Sequence, residues 1–438
     1  MTADTMIGDF TAHAEAMAGV GPAWLVPVRR AAMARFEQLG FPTTRNEDWH
    51  YTSTSAIAEG GFQLVDSASD ALSVLDLTPF RFGHDEWPTL VFVNGQYDAQ
   101  RSNVAALPAG VRVLDLETAF RDDAAFLEGR LTRVASFDEH TFTALNTAFM
   151  RGGAVIHVAR DTVVAQPIHL LFVADAGMDG GVVHPRVIVA AERHAKVAIV
   201  ESWVAAGASR YFTNTVTEVD IAEGATVTHV KIQRESPDAF HVGTVQVAQA
   251  KDSHFVSFSF ASGGLLSRTN VYTHLNGAGC GSTLNGLYLA DGVQKVDHQT
   301  RIEHVAPNCY SRELYKGVLD DEGHGVFNGK VYVHPEAQKT DGKQENHTLL
   351  LGDRAHIDTK PQLEIFADDV KCTHGATVGR IDEMSRFYMR SRGIGDALTQ
   401  QLLVYAFAAD VLEKIDIDAV REGLEALVLD RFTGSSAA

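Results

Sequence analysis

The chain has 438 residues, and 37 Lys+Arg against 56 Asp+Glu give it a net charge of −19. That field repels phosphate backbones, and no basic run appears, which argues against nucleic-acid binding. Hydrophobic content of 45% and charged content of 21% are those of a globular protein, and the length calls for several domains or one elongated repeat body.

In chain order, "PAWLVPVRRAAMARFEQLG" places Leu25, Val28, Ala32, Phe36 and Leu39 at helical spacing. Gly40 stands where a left-handed cap belongs, and Pro42 follows. "RNEDWHYT" (45–52) mixes charge and aromatics, and residues 55–88 read as loop. From "TLVFVNG" (89–95) the period changes to two. Runs such as "AVIHVA" (154–159), "KVAIVESWV" (196–204), "HFVSFSFAS" (254–262), "GVFNGKVYV" (325–333) and "PQLEIFAD" (361–368) follow. Small-residue openers before many of them recur at roughly 20–30 residues, the spacing of a solenoid whose coils add strands to stacked sheets. A parallel β-helix is therefore expected, and "AQKTDGKQENHTLLLGDRAHIDTKP" (337–361) reads as a polar connection between coils.

Helix returns in "DALTQQLLVYAFAADVLEKI", with Leu398, Leu402, Tyr405, Ala409 and Leu412 on one stripe. "DIDAVREGLEALVLDRF" aligns Ile417, Val420, Leu424 and Leu427. Such helices either cap the solenoid or dock a partner. The expected division is a helical domain at 1–88, a β-helix core at 89–380 and a helical domain at 381–438. The longest apolar run, "LLVYAFAA" (402–409), is too short for a bilayer. "MTADTMIGDF" has no charged and apolar signal regions. With three scattered cysteines, a cytoplasmic setting is expected.

The chemistry-bearing stretch is "ADDVKCTHGATVG" (367–379). Cys372 and His374 are two apart in a strand-like run, so both side chains share a face. Such a pair can hold a soft metal, act as thiol and base, or be ordinary core residues. Two donors do not complete a closed metal site, which needs four. Cys280 and Cys309, far apart in sequence, are read as structural. Many of the nineteen histidines lie in the β region, among them His229, His274, His324, His356 and His374, but no HExxH motif appears. There is no GxxxxGK[ST], no GxGxxG opening a helix and no GxSxG elbow. Asp320–Asp321 and Asp368–Asp369 are adjacent acids pointing to opposite faces, not acid/base dyads.

"YKGVL", "GVFNGKVYV", "AQKTDGKQ", "LLLGDRAHIDTKPQLEIFADDVKCTHGATVG" and "IDEMSRFYMRSRGI" occur in this order over residues 315–394. This constellation resembles the SufB/SufD family of the SUF iron–sulfur cluster assembly system. The chain length, the few cysteines and "RNEDWHYTS" resemble its SufD branch. The resemblance implies a right-handed parallel β-helix between two helical domains, joined to SufB through the β-helices. It implies that Cys372 and His374 lie at the SufB interface and contact iron or a nascent iron–sulfur cluster. It implies that the C-terminal helical region holds the SufC ATPase, which alone handles ATP; Asp382, Tyr388, Arg390, Arg392, Leu398, Leu402 and Tyr405 are the candidate contacts. The chain would then be a non-catalytic scaffold, able to form a homodimer in isolation. The family's association with reduced flavin finds no motif here. The alternatives are a SufB-like sulfur acceptor and a β-helix carbohydrate-active enzyme, the latter without a carboxylate constellation to support it.

Overall fold

The computed structural model describes residues 21–65, 76–82, 86–104 and 107–433. Helix α1 (Leu25–Leu39) stops where its sequence predicts: Gly40 has φ 63° and returns its N–H to the Phe36 carbonyl. Then come α2 (Ser55–Ala58), β1 (Gln63–Leu64), β2 (Thr89–Val93), β3 (Gln96–Asn103) and β4 (Val111–Asp115). Residues 116–149 carry α3 (Leu116–Asp122), α4 (Ala124–Glu128) and α5 (Thr141–Phe149).

Strands β5 (Gly153–Val158), β6 (Ile168–Ala174), β7 (Gly181–Val183) and β8 (Arg186–Ala191) begin the stack. It continues through β9 (Lys196–Ala205), β10 (Phe212–Ile221), β11 (Thr226–Arg234), β12 (Phe240–Gln249), β13 (His254–Ala261) and β14 (Leu266–Leu275). Then follow β15 (Gly281–Ala290), β16 (Lys295–His304), β17 (Tyr310–Leu319), β18 (His324–Val333), β19 (Asp341–Leu350), β20 (His356–Ile365) and β21 (Lys371–Gly379). Helices α6 (Glu383–Ser391), α7 (Asp396–Leu412) and α8 (Asp418–Thr433) come last.

From β8 onward even-numbered strands pair in one sheet and odd-numbered strands in the other. Phe212 opposes Phe240, Leu266 opposes Lys295 and His324 opposes His356, all in parallel, in steps of 28, 29 and 32 residues. The molecule is mostly β, a parallel solenoid flanked by helices, as the sequence leads one to expect. Its interior is filled by inward residues of both sheets, including Val197, Val227, Phe255, Val271, Ile302, Tyr315 and Phe327. The outer face of the even sheet takes α1 and α5 over Phe212, Phe240 and Val242. That of the odd sheet takes α7 and α8 over Phe258, Leu287, Leu289 and Val318.

The stretch 337–361 is not a connection: it contains β19 and the first part of β20. Its inward positions are polar, which hides the alternation. Buried Gln344 donates to Glu313 at 2.7 Å, and buried Asn346 donates to the Tyr288 hydroxyl at 3.2 Å.

"RNEDWHYT" is a clasp on the even sheet. The Arg268 guanidinium lies 3.6 Å over the Trp49 ring, and its Nη1 donates to the Asp48 carbonyl at 2.7 Å and to Asp297 at 2.8 Å. The Thr52 hydroxyl donates to the same Asp297 oxygen at 2.6 Å. Arg268 and Asp297 are almost wholly buried, and this full set of partners is what makes a buried ion pair tolerable.

The two ends differ. At the N-terminal end β3 runs antiparallel to β2 and β4 to β5, and Tyr97, Val104 and Leu107 pack against the interior. At the C-terminal end, among the described residues, β20 and β21 each pair on one side only. Among the described residues no helix is long and apolar enough to cross a membrane.

Candidate functional site at the open end of the solenoid

Cys372 and His374 lie on β21, the last strand of the odd sheet. Register fixes their direction. Cys372 ends the column Val197, Val227, Phe255, Ser282, Ser311, Gly342, whose members down to Phe255 lie in the interior. His374 ends the column Ile199, His229, Ser257, Leu284, Glu313, Gln344. Both side chains therefore face inward, over the end of the stack, where a further coil would sit. Cys372 is half-buried against the cluster of Val331, Val333, Ala337 and Ala367, and His374 is exposed.

Burial pushes the Cys372 thiol up, so in the isolated chain it is a thiol rather than a preformed thiolate. A metal ion would have to displace its proton. Below His374, burial pushes the Glu313 carboxyl up to about 7. Three apolar side chains are exposed at this end, Ile365, Phe366 (56%) and Val378, among polar neighbours such as Asp368, Lys371 and Thr373.

The other cysteines do not complete the site. Cys280 and Cys309 immediately precede the paired residues Gly281 and Tyr310, so stacking brings together two thiols that sequence separation kept apart. Their mutual hydrogen bond pulls Cys280 down to about 6 and pushes Cys309 up. Cys309 lies two strands below Cys372, about 10 Å at the usual strand spacing.

A second surface lies on the C-terminal helices. Asp382 is the N-cap of α6, accepting from the Ser385 N–H at 2.8 Å. Tyr388, Leu398 and Leu402 are exposed, and Arg392 lies 5.2 Å over the Tyr388 ring. Arg390 is exposed 3.9 Å from Asp396. Tyr405 instead packs partly buried against the α7–α8 core. Two residues missed from the sequence are the most exposed apolar ones here, Met384 at 74% and Phe387 at 69%. Their signal was the spacing Met384, Phe387, Tyr388, Ser391, one face of a helical turn.

Fold and site together define a parallel β-solenoid protein with helical flanks, a thiol and an imidazole at its open end and an exposed helical face beside it. A family model described as SUF system FeS cluster assembly, SufBD core domain, matches residues 172–407, and one for the SufBD protein N-terminal region matches residues 2–170. The chain belongs to the SufBD family. It is 32% identical to the iron–sulfur cluster assembly protein SufD of Escherichia coli, over 94% of each chain. It is 32% identical to an iron–sulfur cluster assembly SufBD family protein of Synechocystis, over 94% of this chain and 92% of that one. SufD of Bacillus subtilis is 27% identical, over 93% of this chain and 94% of its own. The carbohydrate-active alternative lapses with this membership.

Proposed function

We propose that this chain is the non-catalytic scaffold subunit of a cytoplasmic complex with SufB and the SufC ATPase. SufB meets the open end of the solenoid, and SufC docks on the helical unit 381–438, where Met384, Phe387, Tyr388, Leu398 and Leu402 are exposed. The observation that carries the reading is the position of Cys372 and His374 at the open end of the stack, inward-facing on a last strand that, among the described residues, is paired on one side only. Among the described residues neither has enough donors around it for a closed metal site, so a partner surface would supply the rest. Iron or a nascent cluster is the cargo, held by a soft thiolate and an imidazole. ATP-driven movement of SufC would strain the helices and open the interface. Without SufB the same open end would pair two copies.

The test is co-expression with SufB and SufC followed by anaerobic cluster reconstitution. Cys372→Ala and His374→Ala are expected to leave the three-protein complex intact and to lower cluster yield severalfold. Yield unchanged in both variants would remove these residues from the site. Joint replacement Met384→Asp and Phe387→Asp is expected to lose SufC and keep SufB. These exposed positions are preferable to deleting α7 and α8, which would strip Leu287, Leu289 and Val318 of their cover.

A further inference from the structure

We propose that His324, His356 and Asp358 form a binding site for a divalent first-row transition metal ion of the iron(II)–zinc(II) class, separate from Cys372 and His374. The residues come from the last two strands of the even sheet. His324 opens β18 and His356 opens β20, and the two oppose each other in register. Asp358, two residues along β20, shares the face of His356. That face is the outer one, since the intervening Ile357 packs against the interior cluster.

The geometry is that of a three-donor set. One ring nitrogen of each histidine and one carboxylate oxygen all lie within 4.8 Å of one another. His324 Nε2 is 2.8 Å from Asp358 Oδ2, and the two imidazole centroids are 3.8 Å apart. Strand register sets the two rings one above the other, tilted by 30°. His356 is exposed on the last strand, which leaves the remaining coordination positions open to water or an incoming ligand. Two imidazoles and one carboxylate suit iron(II), cobalt(II) and zinc(II). They do not suit calcium or magnesium, which prefer oxygen ligands throughout.

The electrostatics permit binding. Burial, and then the neighbouring Lys295, hold His324 below the usual histidine range, and a metal ion bound through Nε2 would displace the proton that this nitrogen shares with Asp358. Lys295, next to His324 in the same register column, is an adverse charge. Its ammonium is tied to the Tyr51 carbonyl of the N-terminal clasp. The site lies at the far corner from Cys372. β20 runs ten residues from His356 before the turn into β21, on the order of 30 Å of strand.

The proposal stands apart from the scaffold role, because its readout is metal binding by the full chain alone. Anaerobic titration with cobalt(II) in the Cys372→Ala/His374→Ala background is expected to give ligand-field bands of an imidazole–carboxylate site, with one ion per chain. Zinc(II) should displace the cobalt, and excess calcium should not. Adding His356→Gln, at an exposed position, or His324→Gln is expected to weaken binding at least tenfold. Lys295→Met is expected to tighten it. Absence of cobalt binding in the double-variant background, or binding unchanged by both glutamine substitutions, would overturn the proposal. Thermal unfolding of each variant separates loss of the site from loss of the fold.

Discussion

Glu218→Ala is expected to release the segment 129–149 from the even sheet at a cost of about 3–5 kcal/mol, the usual result of stranding one member of a buried ion pair. Arg186 is fully buried and Glu218 nearly so, 2.6 Å apart. The Glu218 carboxylate also accepts the N–H groups of Thr132, Val134 and Ala135 at 3.0, 3.1 and 2.9 Å. Arg186 donates onward to Asn146 and Thr147 of α5. Removing the carboxylate orphans three backbone donors and leaves a fully buried guanidinium without its counter-charge. Solenoid coils contact mainly their neighbours, so the damage should stay local. Amide exchange in residues 129–149 should accelerate on the order of 10²–10³-fold, with exchange in β16–β19 little changed. The double replacement Arg186→Met/Glu218→Leu should cost far less, because it buries no unpaired charge. Equal cost for the single and double variants would refute this account.

Glu313→Gln is expected to remove a pH dependence that the native protein carries. Burial raises the Glu313 carboxyl from 4.5 to about 7. The folded state thus holds this proton more tightly than the unfolded state. Its contribution to stability is greatest below the unfolded pKa, falls as pH rises through about 7, and is constant above that. The shift corresponds to roughly 3 kcal/mol. Glutamine has no proton to lose and can still accept from Gln344. Denaturant midpoints of the native chain should fall between pH 5 and pH 8, and those of Glu313→Gln should fall less. Identical pH profiles would show that Glu313 is ionised without cost.

How much of this was legible in the sequence depends on what the inward positions carry. β18, "HGVFNGKVYV", announces itself because Phe327, Val331 and Val333 point into the stack. β16, "KVDHQTRIEH", does not, because His298, Thr300 and His304 take inward places. β10, β12, β17 and β19 were missed for the same reason. Their interior side chains include Thr215, His241, Glu313 and Gln344, satisfied by partners that a one-dimensional pattern cannot display. Cys372 and His374 stood out because period two is enough to put them on one face. The stacking of Cys280 on Cys309, and of His324 on His356, depends on coil lengths that vary from 26 to 33 residues, and only three-dimensional register reveals it.

The unlike ends of the solenoid also govern how far an assembly can grow. A coil with a free parallel edge is a template for another, and a stack open at both ends would add units without stopping and become a fibre. Here the strand direction reverses at one end, where β3 and β4 run against their neighbours. Among the described residues, the β20–β21 end is the one that presents free parallel edges to a companion solenoid. When two such chains meet there, each consumes the other's free edge and no templating surface remains. An assembly joined at that end would be finite at two solenoids, by geometry and without any need for a dedicated terminator.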